Sequence, residues 1–368
     1  YVISIDIPSG VTGSEGAISS AAIQANLTLA IGMPKTGHYI SAGAIHSGII
    51  KVLESGFPKE LTISGNKKLL DQESINLIKN DRDKFAHKNN FGHCLVIGGS
   101  QGMTGALIMA STAALKVGTG LVTAVTWPES YLELTSRVPC EIMTGVIPQE
   151  DSEISAILKD LNKYNSIIVG PGLGQSERTR EVVLNIIRHF GGNLILDADA
   201  INVLNLNEDL PLLETRKGPM VLTPHIGEFS RFAGLSSQEV LEQPLENLKL
   251  IVDRTNCSII LKDACTFLGF PNGEIYVNYS PNDGLASGGS GDVLAGMIGG
   301  YLAQYSQNTN KKQIFKNNEE VFDAVRMGVW IHSLAAKYTV KDLGPRAMTA
   351  NEIVNYLPMA FDEVEKYK

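Results

Sequence analysis

His93-Cys94-Leu95-Val96-Ile97-Gly98-Gly99-Ser100-Gln101-Gly102-Met103-Thr104-Gly105 passes from an unbroken apolar run, through a glycine turn, into an alanine-rich stretch. A run without polar alternation is how a strand covered on both faces reads. A helix starting directly after it makes this a βα unit. The pattern then recurs. Further β-rich runs lie at Leu121–Thr126, Ser166–Gly170, Leu194–Asp197, Met220–Thr223, Ser258–Lys262 and Glu274–Asn278. Helical stretches are expected near 104–117, 151–163, 177–190, 237–254, 291–305, 319–339 and 350–365. Such alternation predicts an α/β fold, a mostly parallel sheet with helices on both faces. Ligands of these sheets bind beyond the C-terminal strand ends, so the loops that follow strands come first.

Outside residues 91–368 the pattern changes. Residues 1–62 read as a separate small α/β unit. A strand at Val2–Ile5 runs into Asp6-Ile7-Pro8-Ser9-Gly10, a helix-like stretch follows at 20–26, and a second strand at Leu27–Ile31. The chain opens on Tyr1 straight into a strand, so a preceding N-terminal portion is expected. The polar, charged segment 63–90 is expected to serve as a linker or docking arm. Gln307–Glu319 reads as a solvated loop between two helices.

Composition narrows the function classes. A net charge of −8 argues against nucleic acid or an anionic membrane as partner. The four cysteines, Cys94, Cys140, Cys257 and Cys265, form no C-x-x-C pair, which suits a reducing, cytoplasmic compartment and offers no zinc spacing. No apolar run approaches the ~18–20 residues of a membrane span.

Glycine is abundant and clustered. The 98–105 loop is neither a P-loop, for want of the lysine, nor G-x-G-x-x-G, since Ser100 takes the second glycine's place. It is either a phosphate cradle or a tight βα turn. Gly170-Pro171-Gly172-Leu173-Gly174 is either a close-approach ligand loop or a glycine-lined turn. Gly284-Leu285-Ala286-Ser287-Gly288-Gly289-Ser290-Gly291-Asp292-Val293-Leu294-Ala295-Gly296 says more. Amides of Gly289–Asp292 would point out of a helix start, where the dipole adds positive potential. That is an anion hole for a transferring phosphoryl group. Asp292 stands where it could take a proton from an attacking hydroxyl. An Asp serving only as an N-terminal helix charge is the plainer alternative. Two more loops follow strands. In one, His225 is a candidate ligand contact and Glu228 could hold Mg²⁺ through water. In the other, Lys262-Asp263-Ala264-Cys265-Thr266 could meet nucleotide phosphates.

In this order the loops closely resemble the ADP/ATP-dependent NAD(P)H-hydrate dehydratases, over about residues 68–368. The resemblance rests on His87-Lys88-Asn89-Asn90-Phe91-Gly92-His93, the 98–105 loop, Gly170–Gly174, Leu196-Asp197-Ala198-Asp199-Ala200, Thr223-Pro224-His225 and Gly288–Asp292. It implies a ribokinase-like fold and repair of hydrated NADH and NADPH in the S form. The ring hydroxyl is phosphorylated by ADP or ATP with Mg²⁺, and loss of phosphate restores the double bond. By the same resemblance Asp292 is the base, and Gly289, Ser290 and Gly291 form the anion hole. Lys262–Thr266 and Gly291 hold the nucleotide. Ala106, Gly172 or Gly174, and His225 meet the dinucleotide together with Asp292. Relatives form tetramers, so a homo-oligomer is expected.

Residues 1–62 resemble the C-terminal part of an NAD(P)H-hydrate epimerase domain, a partial Rossmann-like segment, through Asp6–Gly10 and Gly32-Met33-Pro34-Lys35-Thr36-Gly37. Asp6 matches a substrate position and Ser9 a potassium position. The Asn-Asn-Gly-Gly-Asp loop and an earlier K⁺ ligand are not in this sequence, so epimerase activity, and K⁺ with it, is not expected of this polypeptide alone. Two other readings compete with the dehydratase. One is a kinase of the same fold acting on a thiazole or pyrimidine alcohol. The other is a nucleotide-binding scaffold without turnover.

Overall fold

The computed structural model describes residues 1–18, 20–58, 65–76, 82, 84–148, 161–308 and 319–366. Its main body is a ten-stranded sheet. In sequence the strands are β4 (Lys67–Leu69), β5 (His93–Ile97), β6 (Leu121–Thr126), β7 (Met143–Val146), β8 (Ser166–Val169), β9 (Asn193–Leu196), β10 (Met220–Leu222), β11 (Ser258–Leu261), β12 (Thr266–Gly269) and β13 (Ile275–Asn278). Their order across the sheet is β4-β13-β12-β11-β10-β9-β8-β5-β6-β7. All pairings are parallel except β11 with β12 and β12 with β13.

The central strands are buried along their whole length, as unbroken apolar runs require. One face packs on helices Thr104–Lys116, Ser290–Asn308 and Glu319–Leu343, the other on Glu177–His189, Ile226–Ala233 and Pro244–Thr255. Helix Ser290–Asn308 lies unusually close to Thr104–Lys116. A Cβ on Gly296 would stand 2.1 Å from the Ala110 carbonyl oxygen, so only glycine permits that approach.

Register sets the site. Ile97 pairs with Val169, Val169 with Leu196, and Leu196 with Leu222. Four loops therefore leave the sheet at one level and on one edge, beside the start of helix Ser290–Asn308.

Several expectations are corrected. Of the segment expected as linker or docking arm, residues 65–76 join the main body: β4 pairs with β13, and Leu70 and Ile75 are buried in the core. Lys68 reaches Glu274 and lies over the Tyr276 ring, which is how a charged strand is accommodated there. No helix forms at 20–26 among the described residues. The amides there bond outward instead, Ile23 N–H to Ser9 O and Ala25 N–H to His46 O, each at 2.9 Å. The expected helix at 237–254 breaks into Ser237–Glu242 and Pro244–Thr255, because Pro244 can open a helix but not continue one. The stretch 350–365 likewise divides at Tyr356. Of the helix expected at 151–163, residues 151–160 lie outside the described residues, as do 309–318 of the expected loop.

The small unit holds a parallel sheet of β1 (Ile3–Ile5), β2 (Leu27–Ile31) and β3 (Ile49–Leu53). It touches the main body through Ile40, which is 2% exposed and part of the main core, and through a Ser41 hydroxyl bond to Leu241 O. No helix among the described residues is long and apolar enough to cross a membrane.

Candidate active site

Asp292 occupies the first turn of helix Ser290–Asn308. Its carboxyl is pushed up to about 7, first by burial and then by the neighbouring charge of Asp197, with Glu228 and Asp199 adding to it and Lys262 opposing. A carboxylate poised near neutral pH is what a general base requires. Ser290 is turned inward: its hydroxyl donates to Leu285 O and Ser287 O, which closes the glycine loop. Gly289 adopts φ 96°, and a Cβ there would strike Met109 Sδ at 2.5 Å.

Lys262 follows β11 and supplies the site's cation. Its Nζ donates to Asp197 Oδ1 at 3.0 Å and lies 3.1 Å from where a Gly291 Cβ would be. Burial disfavours its charge, but Asp197, Glu228 and Asp292 outweigh that and hold the ammonium protonated. Asp197 is 1% exposed and also accepts from the Thr223 hydroxyl at 2.6 Å. Three carboxylates, Asp197, Glu228 and Asp292, thus act on one ammonium.

An open cleft lies beside Gly291. Lys262, Asp263, Ala264, Thr266 and Gly291, all expected nucleotide contacts, line it. Cys265 does not. Its side chain is 7% exposed within the core, so only its backbone can serve the cleft. Other lining residues were not anticipated: Asn278, which pairs with Thr266 beside it, and Ser280 from the end of β13, and Val329, His332 and Ser333 from helix Glu319–Leu343. His332 Nε2–H donates to Ser290 O at 3.1 Å, and burial drives its imidazole down to about 4, so it is neutral. Asn278 donates to Ser333 Oγ, while its Oδ1 is buried without a partner.

On the other side of Asp292 the Gly170–Gly174 loop folds over the 98–105 loop. Gly99 N–H donates to Pro171 O, and Ser100 N–H to Gly172 O. A Cβ on Gly172 would lie 3.2 Å from that of Ala106, so these two candidates meet. Asp199 fixes the loop's far end, accepting from Gly174 N–H at 2.8 Å and Gln175 Nε2 at 2.9 Å. Between Asp197 and Asp199, Ala198 is held at φ 47°, the strained backbone often found beside functional groups. At the start of helix Thr104–Lys116 the Thr104 hydroxyl donates to Glu133 at 2.6 Å, which sets a carboxylate beside that turn.

His225 has a structural task. It is the N-cap of helix Ile226–Ala233, its Nδ1 accepting from the Gly227 and Glu228 amides, while Glu228 Oε2 accepts from His225 N–H. The ring's proton is then on Nε2, 3.4 Å from Glu228 Oε1, and the side chain remains 55% exposed. Glu228 is 6% exposed, and its carboxyl is raised by burial first and by Asp197, with Lys262 opposing.

In the small unit Asp6 adopts φ 66° and is paired with Lys35. His38, fully buried, donates to Asp6 O. Ser9 is exposed.

Fold and site together define a ribokinase-like α/β enzyme. The NAD(P)H-hydrate dehydratase family profile matches residues 94–359, and the chain belongs to that family. A profile for the YjeF-related protein N-terminus matches residues 1–37. The bifunctional NAD(P)H-hydrate repair enzyme Nnr of Moorella thermoacetica is 31% identical across 99% of this chain and 67% of its own length. The Escherichia coli enzyme of the same name is 29% identical across 97% of this chain and 64% of its own. The chain thus spans about two thirds of these relatives. The Bacillus subtilis ADP/ATP-dependent NAD(P)H-hydrate dehydratase, co-crystallised with ATP/Mg²⁺, superposes with a TM-score of 0.67 at 26% identity, covering 81% of this chain and 98% of that one.

Proposed function

We propose that this chain removes water from the S form of hydrated NADH and NADPH at the expense of ADP or ATP. The observation that carries the reading is Asp292, a buried carboxyl raised to about 7 at a helix start, whose neighbours Gly291 and Lys262 line an open cleft. The nucleotide lies along Lys262–Thr266 with its terminal phosphoryl group at the amides of Gly289, Ser290 and Gly291. The hydrate lies across Ala106, Gly172, Gly174 and His225. Asp292 takes the proton of the ring hydroxyl as its oxygen attacks phosphorus, and the shortened nucleotide leaves. Lys262 and the helix start hold the charge that builds on the equatorial oxygens. Phosphate then departs from the ring carbon and the adjacent carbon loses a proton, restoring the double bond.

The donor set also fits a hydrated divalent cation. Among the described residues no three-residue metal cage exists, but Mg²⁺ is commonly bound through one or two carboxylates, water and substrate phosphates. Glu228 is the carboxylate placed to hold it through water. Bound there, the ion would neutralise phosphate charge.

The test is to incubate the protein with S-hydrate, Mg²⁺ and either nucleotide. Equal amounts of reduced cofactor and free phosphate are expected. A stable phosphoester in place of reduced cofactor would make the chain a kinase instead.

A further inference from the structure

The contact between the small unit and the main body falls beside the nucleotide cleft. Tyr39 meets the Tyr279 ring edge to face, with centroids 5.0 Å apart. Tyr279 is the residue between Asn278 and Ser280, both of which line the cleft. Its phenol also lies near the Cys265 thiol, and burial followed by that neighbour raises its pKa. Cys265 in turn sits between Ala264 and Thr266 on the same cleft wall. Ile40 belongs to the same buried cluster as Cys265, Ile275 and Val277. Ser41 is held at φ 52°, a left-handed conformation unfavourable for a non-glycine residue, while its hydroxyl bonds Leu241 O. The docking segment is thus a short, strained, largely buried insertion. It braces two strand ends that form one side of the cleft.

We propose that the small unit buttresses the nucleotide site, with Tyr39 a positioning residue that acts through Tyr279 on the wall formed by Asn278, Ser280 and Ala264–Thr266. The proposal rests on the reading of that cleft as the nucleotide's seat. Its consequence is that nucleotide affinity depends on a segment outside the dehydratase family match. Removing an edge-to-face aromatic partner frees Tyr279 to move, and the wall loosens with it. The hydrate's contacts at Ala106, Gly172 and His225 belong to other loops and are not reached by this change.

The test uses the full chain with Tyr39→Phe, Tyr39→Ala and, as a control, Lys262→Ala. ADP and ATP affinity is measured by calorimetry, the KM for S-hydrate by turnover, and amide hydrogen exchange by mass spectrometry. Tyr39→Phe is expected to behave as the parent protein. Tyr39→Ala is expected to weaken nucleotide binding roughly 3–10-fold, the scale of one lost aromatic pair. Hydrate KM should stay unchanged, and exchange should quicken in peptides spanning 263–266 and 278–285. Should Tyr39→Ala not fold, Tyr279→Leu addresses the same pair from the other side. A lower Tm with unaltered nucleotide affinity and cleft exchange would reduce Tyr39 to a stabilising contact and overturn the proposal. If Lys262→Ala leaves nucleotide affinity intact, it is the cleft assignment that fails instead.

Discussion

Lys262 Nζ and Gly291 face each other so closely that a methyl group on the glycine would stand 3.1 Å from the ammonium. The ammonium is the free end of a flexible side chain, so it can yield at little cost to folding. It would then shift by a few tenths of an ångström from its place beside the helix start. Gly291→Ala is therefore expected to keep the parent Tm within about 1 °C, which in a chain of this size corresponds to less than about 1 kcal/mol. Its kcat should fall by at least ~10-fold, in line with the loss of one preorganised charge contact. A thermal melt beside single-turnover kinetics checks both. A destabilised but fully active variant would contradict this account of the pair.

Asp292 carries a pH dependence of definite sign. Its folded-state value of about 7 lies above the 3.8 of an unperturbed aspartate. As base it works ionised, so kcat/KM should rise with pH through about 7 and then level off. For stability the sign is opposite. Ionising the buried carboxyl opposes folding, so its contribution is full below about 4 and is lost as pH climbs through about 7. Asp292→Asn should lose at least ~10²-fold in rate. At pH 8 it should melt above the parent, and that gap should close toward pH 4. Melting curves over this range test the linkage independently of turnover.

The contrast between these two residues and their neighbours shows what a sequence can carry. Asp292 is legible because its surroundings are local: glycines before it and a helix after it are adjacent in the chain. The sheet is legible for the same reason, since each buried strand is its own apolar run. Asp197 stood inside a recognised motif, yet its partner Lys262 is 65 residues away, so no spacing rule announces the pair. His332 reads as one polar residue on an apolar helix. Its link to Ser290 O exists only once the two helices pack. Strand β12 was missed because Lys262–Thr266 reads as loop up to its last residue, and a short antiparallel hairpin interrupts the βα rhythm. In the same stretch Cys265 turns inward to the core while its neighbours face the cleft.

Asp199 separates the two halves of the site. It grips Gly174 N–H and Gln175 Nε2 and makes no contact with the nucleotide cleft. Asp199→Ala should release the Gly170–Gly174 loop and lower kcat/KM for S-hydrate roughly 10–100-fold, the cost of misplacing a substrate by about 1 Å. The Kd for ADP or ATP should not change. Asp199→Asn keeps an acceptor for Gly174 N–H and should recover part of the loss. A nucleotide Kd that shifts as much as the hydrate KM would show that the two loops act as one unit.

His225 holds a structural and a functional position at once, and substitution can divide them. As N-cap it accepts two amides, a task Asn performs well, whereas Ala leaves those donors without a side-chain partner. His225→Ala should therefore cost about 1 kcal/mol in stability, and His225→Asn only a few tenths. The exposed face of the ring, not the cap, is what the hydrated dinucleotide would touch. Both variants should then raise the KM for S-hydrate, while only His225→Ala lowers the Tm. If His225→Asn restores KM along with Tm, the histidine contributes to the site solely by anchoring helix Ile226–Ala233 and through it Glu228.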